Sequence, residues 1–175
     1  MRLIAKILPK QESIEQIERQ YPDFKVQYFE AIQSLFVLSN DLERNMEQYL
    51  SGRCPGFSRA RFLILMVLIY HEGQRTQPNE IAKKLNVTRG NMTGLIDNLV
   101  SEGFVTKYQD EVDRRQVWIE VTPSGRKLLE KILPGHFKRI SKFMSVLKRD
   151  EVATLLKLLS KLTAGIPEAF GEPET

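Results

Sequence analysis

The sequence holds one cysteine, Cys54, and two histidines, His71 and His136, that stand 65 positions apart. A single thiol builds no disulfide framework and no Cys-based zinc site, and the two imidazoles lack ligand spacing, so neither a structural metal nor a cofactor is expected. Long apolar runs are missing as well. The longest, Phe62 to Tyr70, has nine residues, against the ~20 that a helix needs to cross a bilayer. Arg2, Lys6 and Lys10 break up the apolar start of the chain, and no small-residue cleavage site follows, so it does not read as a secretory leader. A soluble, cytoplasmic protein is the expectation. No Gly-rich phosphate loop, nucleophile elbow or closely spaced His or Cys pair occurs, which argues against an enzyme. Dense cationic tracts are also lacking: 26 Lys and Arg against 22 Asp and Glu leave a net charge of +4, too little to name a partner by itself.

What is present describes a globular chain. Apolar residues make up 42% and charged residues 27% of 175 residues, enough for one ordinary domain with helical extensions. From Asp23 to Leu50, Phe24, Tyr28, Ile32, Leu35, Phe36, Leu42, Met46, Tyr49 and Leu50 recur at helical spacing, and the segment from Ser51 to Gly56 ends that helix with two glycines and a proline. Phe57 to His71 reads as a second helix, capped by Ser58, apolar on nearly every side and therefore buried, with His71 closing it or lying at an interface. Thr76 to Glu80 opens a short helix with Pro78 in its first turn. Asn86 and Val87 make a turn, and Thr88 starts a further helix that Gly103 stops. That helix buries Met92, Leu95, Ile96, Leu99 and Val100 and leaves Arg89, Gly90, Asn91, Thr93 and Asp97 on its other face.

After Gly103 the period shifts toward two. Phe104–Gln109 and Gln116–Val121 read as paired strands joined by the charged tip Asp110–Arg115. Thr122 and Pro123 then start a helix that Pro134 and Gly135 interrupt or kink. A last helix opens at Asp150 and buries Val152, Leu155, Leu156, Leu159 and Leu162, with the tail frayed from Gly165. The fold class is mainly α with a small β-hairpin wing: a winged helix-turn-helix between N- and C-terminal helices.

Two short helices and a hairpin in this order suit a DNA duplex, because a helix fits the major groove and points its N-terminal side chains at base edges. Here those are Thr88, Arg89, Gly90, Asn91 and Thr93. Gly90 and Gly94 are poor helix formers; a bare surface would let a DNA strand approach closely, or Gly94 fits against a neighbouring helix. Ser58, Arg59, Thr76 and Gln77 stand at helix starts where free N–H groups attract phosphate, with Arg75 and Lys107 flanking. Lys83 and Lys84 serve equally as surface charge. At the hairpin tip, Arg114 and Arg115 sit beside Asp110, Glu111 and Asp113, and local pairing alone accounts for one of the two arginines.

The run Thr76-Gln77-Pro78-Asn79-Glu80-Ile81-Ala82-Lys83-Lys84-Leu85, then Val87 to Thr93, Asp113-Arg114-Arg115 and Val121-Thr122-Pro123-Ser124-Gly125 resembles the MarR family of bacterial transcription regulators over about residues 24–163. A weaker similarity is to members that regulate multidrug-efflux operons. The resemblance implies an obligate homodimer, with an arm and dimerisation helix at residues 1–52, a DNA-binding domain at 53–127 and dimerisation helices at 128–175. It also implies that one wing arginine, assigned as Arg114, enters the minor groove of a pseudo-palindromic operator while Asp113 and Arg115 brace the hairpin. The function implied is a repressor released by a small aromatic or amphipathic effector, with Phe24, Tyr28, Phe36, Phe62 and Met66 as candidate lining. The alternatives are a DNA-binding or protein-interaction module without a ligand, and a redox-responsive regulator acting through Cys54. In oxidant-sensing members of the family the cysteine lies near the start of the first long helix, and none is present there. Charge follows the same division: residues 53–127 carry 12 Lys and Arg against 8 Asp and Glu, whereas residues 1–52 carry 6 against 8.

Overall fold

The computed structural model describes residues 11–70 and 75–171, so His71 lies outside the described residues. The chain divides into two compact units, one ending at Arg126 and the other starting at Lys127. The first unit opens with α1 (Gln11–Gln20), a helix that the apolar pattern did not announce. Its sequence is mostly Gln, Glu and Arg, good helix formers that give no stripe beyond Ile14 and Ile17. A turn at Tyr21–Asp23 leads to α2 (Val26–Ser51), which starts three residues later than its apolar spacing suggests because Lys25 is extended. Its C-terminal Tyr49 and Leu50 are buried, while Tyr28, Ile32 and Phe36 farther up are exposed.

The core is built around α3 (Arg59–Tyr70), where Phe62, Ile64, Leu65 and Leu68 are buried, as expected of a helix apolar on all sides. The backbone N–H of Arg61 donates to Ser58 Oγ at 3.3 Å, which gives α3 the anticipated cap. Packed on it are α4 (Pro78–Leu85) and α5 (Arg89–Ser101), which bury Ile81 and Ala82, and Met92, Ile96 and Leu99. Asn86 turns the chain between them in the left-handed region (φ 51°, ψ 46°), which asparagine tolerates better than most side chains, and its N–H bonds the carbonyls of Ala82 and Lys83. Val100, expected on the buried face of α5, is exposed instead.

The wing has three strands rather than two. β2 (Val105–Gln109) pairs antiparallel with β3 (Val117–Val121), and the two-residue β1 (Arg75–Thr76) adds to the free edge of β3, Arg75 opposite Glu120 and Thr76 opposite Ile119. Val105, Ile119 and Val121 point into the core. Thr122 then caps α6 (Pro123–Met144), accepting the Gly125 N–H at 3.1 Å and donating to the Gly103 carbonyl at 2.7 Å. Gly125 is required there, since a Cβ would fall 2.2 Å from the Phe104 carbonyl oxygen.

α6, most of which lies in the second unit, runs through Pro134, so of the expected interruption or kink the interruption does not occur. A proline removes one N–H from the ladder, the bond to the carbonyl four residues back, and the remaining bonds carry the helix on. Leu129, Ile132 and His136 are buried on α6. A connection at Ser145–Lys148 leads to α7 (Arg149–Phe170), whose start is fixed by the Lys148 N–H donating to Glu151 Oε2 at 2.7 Å. Two expectations fail here. The helix continues past Gly165 to Phe170 instead of fraying, and no α7 residue is buried: Leu156 is 62% and Leu162 54% exposed. The apolar period of α7 identifies a face, and this chain leaves that face uncovered.

Candidate nucleic-acid interface

The N-terminal half of α5 presents Gly90, Asn91, Thr93 and Gly94 to solvent. Thr88 stands at its N-cap in extended conformation, exposed and without a side-chain cap bond. The backbone of Arg89 begins the helix, but its side chain lies outside the described residues. A Cβ at Gly90 or Gly94 would meet nothing within 4 Å, which removes the alternative that Gly94 fits against a neighbouring helix. The far end of α5 is anchored by a part-buried ion pair: Glu102, its exposed C-cap, accepts from Nη1 of the buried Arg61, whose guanidinium also stacks on the Phe57 ring at 5.6 Å. A carboxylate at a helix C-terminus opposes the helix dipole, so the pairing offsets an otherwise unfavourable placement.

The wing tip is ordered by two carboxylates. Asp110 Oδ1 accepts the backbone N–H groups of Val112 at 2.9 Å and Asp113 at 3.0 Å, and its Oδ2 accepts the Trp118 indole N–H at 2.8 Å. Asp113 Oδ1 accepts the Arg115 backbone N–H at 3.0 Å, and its Oδ2 accepts Gln116 Nε2 at 3.2 Å. The Asp113–Arg115 brace therefore runs through the backbone of Arg115 rather than through its guanidinium. Arg114 and Arg115 extend into solvent, and neither makes an ion pair among the described residues. The bonds that Asp110 accepts, first from Asp113, then Trp118 and Val112, hold its carboxyl below the usual carboxylate range, with a further lowering from Arg75.

The other sequence-derived phosphate contacts are engaged within the fold. Arg59 donates its backbone N–H to Glu47 Oε2 at 2.8 Å and places its guanidinium 3.5 Å from Glu43. Thr76 is fully buried with its hydroxyl on Glu80, so it secures the start of α4 instead of facing solvent. Gln77 donates to Gln116 Oε1 at 3.0 Å, Arg75 lies over the Trp118 ring at 4.6 Å, and Lys107 pairs with Asp97 at 2.9 Å. Sequence reading missed Asp110, Gln116 and Trp118 as organisers of the tip. The available signal was a tryptophan at an outward strand position, where a large ring with a polar N–H needs a partner.

The five aromatic and Met positions do not gather in one enclosure. Phe62 belongs to the core, Met66 is half-buried on α3, and Phe24 is half-buried against Phe29, with ring centroids 5.8 Å apart. Tyr28 and Phe36 are exposed on α2, and Tyr28 borders a cleft of 210 Å³ together with Glu18, Lys25, Val26 and Gln27. Cys54 is half-buried in the α2–α3 loop.

Comparison with known proteins bears on this arrangement. The family model described as MarR family matches residues 57–117, from the residue before the α3 cap to the first residue of β3. The HTH-type transcriptional repressor YetL of Bacillus subtilis (strain 168) is 38% identical over 157 residues, 90% of this chain and 93% of that protein. The chain belongs to the MarR family. This MarR-family chain is a transcriptional regulator by the same relationship, and the family model spans α3, α4, α5, β2 and the wing tip. The transcriptional repressor MprA of Escherichia coli (strain K12) is a more distant relative, 22% identical over 164 residues, 94% of this chain and 92% of that protein. Among solved structures, Sco3205, a MarR family transcriptional regulator from Streptomyces coelicolor in complex with DNA, superposes with a TM-score of 0.76 at 18% identity, over 86% of this chain and 91% of that one. The S. aureus MepR–DNA complex gives 0.70 at 23% identity, over 82% and 99%. These likenesses confirm the winged-helix fold. Among the described residues no helix is long and apolar enough to cross a membrane.

Proposed function

We propose that the chain acts as a homodimeric repressor on a pseudo-palindromic operator, each copy laying α5 in the major groove and its wing tip over the adjacent minor groove. The observation that carries this is the pair Arg114 and Arg115, held out from an ordered tip with no ion pair among the described residues. Two guanidiniums kept in solvent beside carboxylates that could have paired with them suit an anionic partner. The bare Gly90–Gly94 surface and the exposed polar Asn91 extend the same footprint along α5. Thr88, Asn91 and Thr93, with Arg89, supply base or phosphate contacts, whereas Arg59, Arg75, Gln77 and Lys107 first serve contacts within the chain.

Dimerisation is supported by the uncovered apolar side chains of α2 and α7, among them Tyr28, Ile32 and Phe36 on α2 and Leu156, Leu159 and Leu162 on α7. For release by an aromatic or amphipathic effector, Tyr28 and Phe36 on α2 are the accessible aromatic positions. A wedge among dimerising helices would change the spacing of the two reading heads and so misalign both α5 helices together.

The test is binding of the wild type and of the double variant Arg89→Ala, Arg114→Ala to duplexes that the purified protein retains from sheared genomic DNA. Loss of specific affinity with the fold intact is expected, and retained affinity overturns the placement. Adding salicylate or a lipophilic cation to the wild-type complex tests the effector, which no change in affinity with either compound would exclude for these classes.

A further inference from the structure

The residues that order the wing tip do not end at the tip. From Asp110 the bond to the Trp118 indole leads to the ring face, and over that face lies the Arg75 guanidinium, 4.6 Å from the centroid. From Asp113 the bond from Gln116 Nε2 at 3.2 Å leads to Gln116 Oε1, which accepts Gln77 Nε2 at 3.0 Å. The amide orientations are dictated by chemistry. An ionised carboxylate only accepts, so Gln116 turns its NH₂ to Asp113 and leaves its oxygen for Gln77. Both relays finish on the three-residue segment Arg75–Gln77, which pairs with β3 through β1 and whose last residue is the N-cap of α4.

We propose that these two relays make the wing tip and the start of the helix-turn-helix one rigid piece, with Asp110 as the positioning residue that sets where Arg114 and Arg115 stand relative to α4. Each relay starts at a carboxylate that accepts tip backbone N–H and ends earlier in the chain, Asp110 at Arg75, 35 positions back, and Asp113 at Gln77, 36 positions back. A tip fixed only by its own turn would swing about the hairpin axis. A tip fixed also to residues 75 and 77 keeps its distance to the α4 start before any DNA is present, and binding then spends less free energy on ordering it. Arg75, read from sequence as a phosphate contact, acts here through Trp118.

The inference rests on the proposed DNA-binding role, and its test separates the two. Asp110→Asn keeps Oδ1 for Val112 and Asp113 but turns an amide N–H toward the indole N–H, so it removes the Trp118 bond together with the charge that attracts Arg75. Trp118→Phe removes the same bond from the other side and keeps a ring under Arg75. Each variant, confirmed folded by its melting transition, is titrated with a fluorescein-labelled duplex that the wild type retains from sheared genomic DNA, alone and combined with Arg114→Ala plus Arg115→Ala.

Expected is about a tenfold loss of affinity for either single variant, with the pair of changes together costing no more than one. The arginine removal should also cost clearly less in the Asp110→Asn background than in the wild type. Emission from Trp118, the single tryptophan of the chain, should shift to the red in Asp110→Asn as the indole loses its carboxylate partner. Wild-type binding that depends on Arg114 and Arg115 but is unchanged by Asp110→Asn and Trp118→Phe overturns this inference and leaves the DNA-binding reading standing. Strictly additive effects of Asp110→Asn and the arginine removal do the same, whereas a wild type that retains no duplex overturns both.

Discussion

Helices α3 and α7 are both rich in leucine and isoleucine, yet α3 buries five side chains and α7 none. Composition does not separate them; neighbours do. α3 lies among α2, α4, α5 and β3, so each of its faces meets another element. α7 carries Leu155, Leu159, Leu162 and Ile166 along one side with nothing in the first rank of burial. An apolar face that the chain leaves open suits the second copy of the proposed homodimer, whereas the α3 face is covered within the chain.

The contrast can be broken most severely at α7. With Leu159→Lys and Leu162→Lys together, sedimentation should show a monomer, and DNA affinity should fall by about 100-fold or more as two half-sites lose their linkage. The same chain should keep its α3-centred core and melt cooperatively. Ile64→Ala, in the middle of α3, should instead lower unfolding free energy by about 2–5 kcal/mol, read by denaturant titration and independent of oligomeric state.

His136 sharpens the difference inside the second unit, where α6 has buried side chains and α7 does not. Burial lowers the His136 pKa from its ordinary 6.5. The neutral ring is the one accommodated, so its contribution is fully present above pH 6.5 and is lost as pH falls through the lowered value. Melting temperature should therefore drop on acidification from neutrality, and His136→Gln should flatten that slope. A smaller and oppositely signed effect is expected on α5. Gly94→Ala should raise stability by up to ~1 kcal/mol, because a Cβ there meets nothing, while weakening DNA binding. Least of all, Lys107→Met should cost under ~1 kcal/mol, since its pairing with Asp97 is at the surface.

Much of this was legible in residue order. The α4–α5 pair, the Asn86 turn, the Gly103 stop and the β2–β3 hairpin follow from capping, glycine and a change of period, all local signals. What was not legible depended on partners distant in the chain. β1 is two residues long and exists only because β3 accepts it. Arg75 and Trp118 are 43 positions apart, and nothing in either neighbourhood announces their stacking. α1 forms through the propensity of Gln, Glu and Arg, without a stripe to reveal it. On α7 the period marked the apolar face correctly, but period cannot say whether that face is covered by its own chain. For the DNA contacts, the sequence named residue types suited to phosphate, and the fold then occupied several of them: Thr76 with Glu80, Lys107 with Asp97, Arg75 with Trp118.

Gly125 carries a consequence for how such a regulator can change over generations. On the proposed DNA-binding role, operator preference would drift through exposed positions such as Asn91, Arg114 and Arg115. Position 125 has no such latitude: with the Phe104 carbonyl oxygen 2.2 Å from where a Cβ would sit, every single-nucleotide route away from glycine collides with backbone. Substitution is thus barred where the wing runs into α6, whereas the exposed positions of the proposed reading surface carry no such backbone constraint.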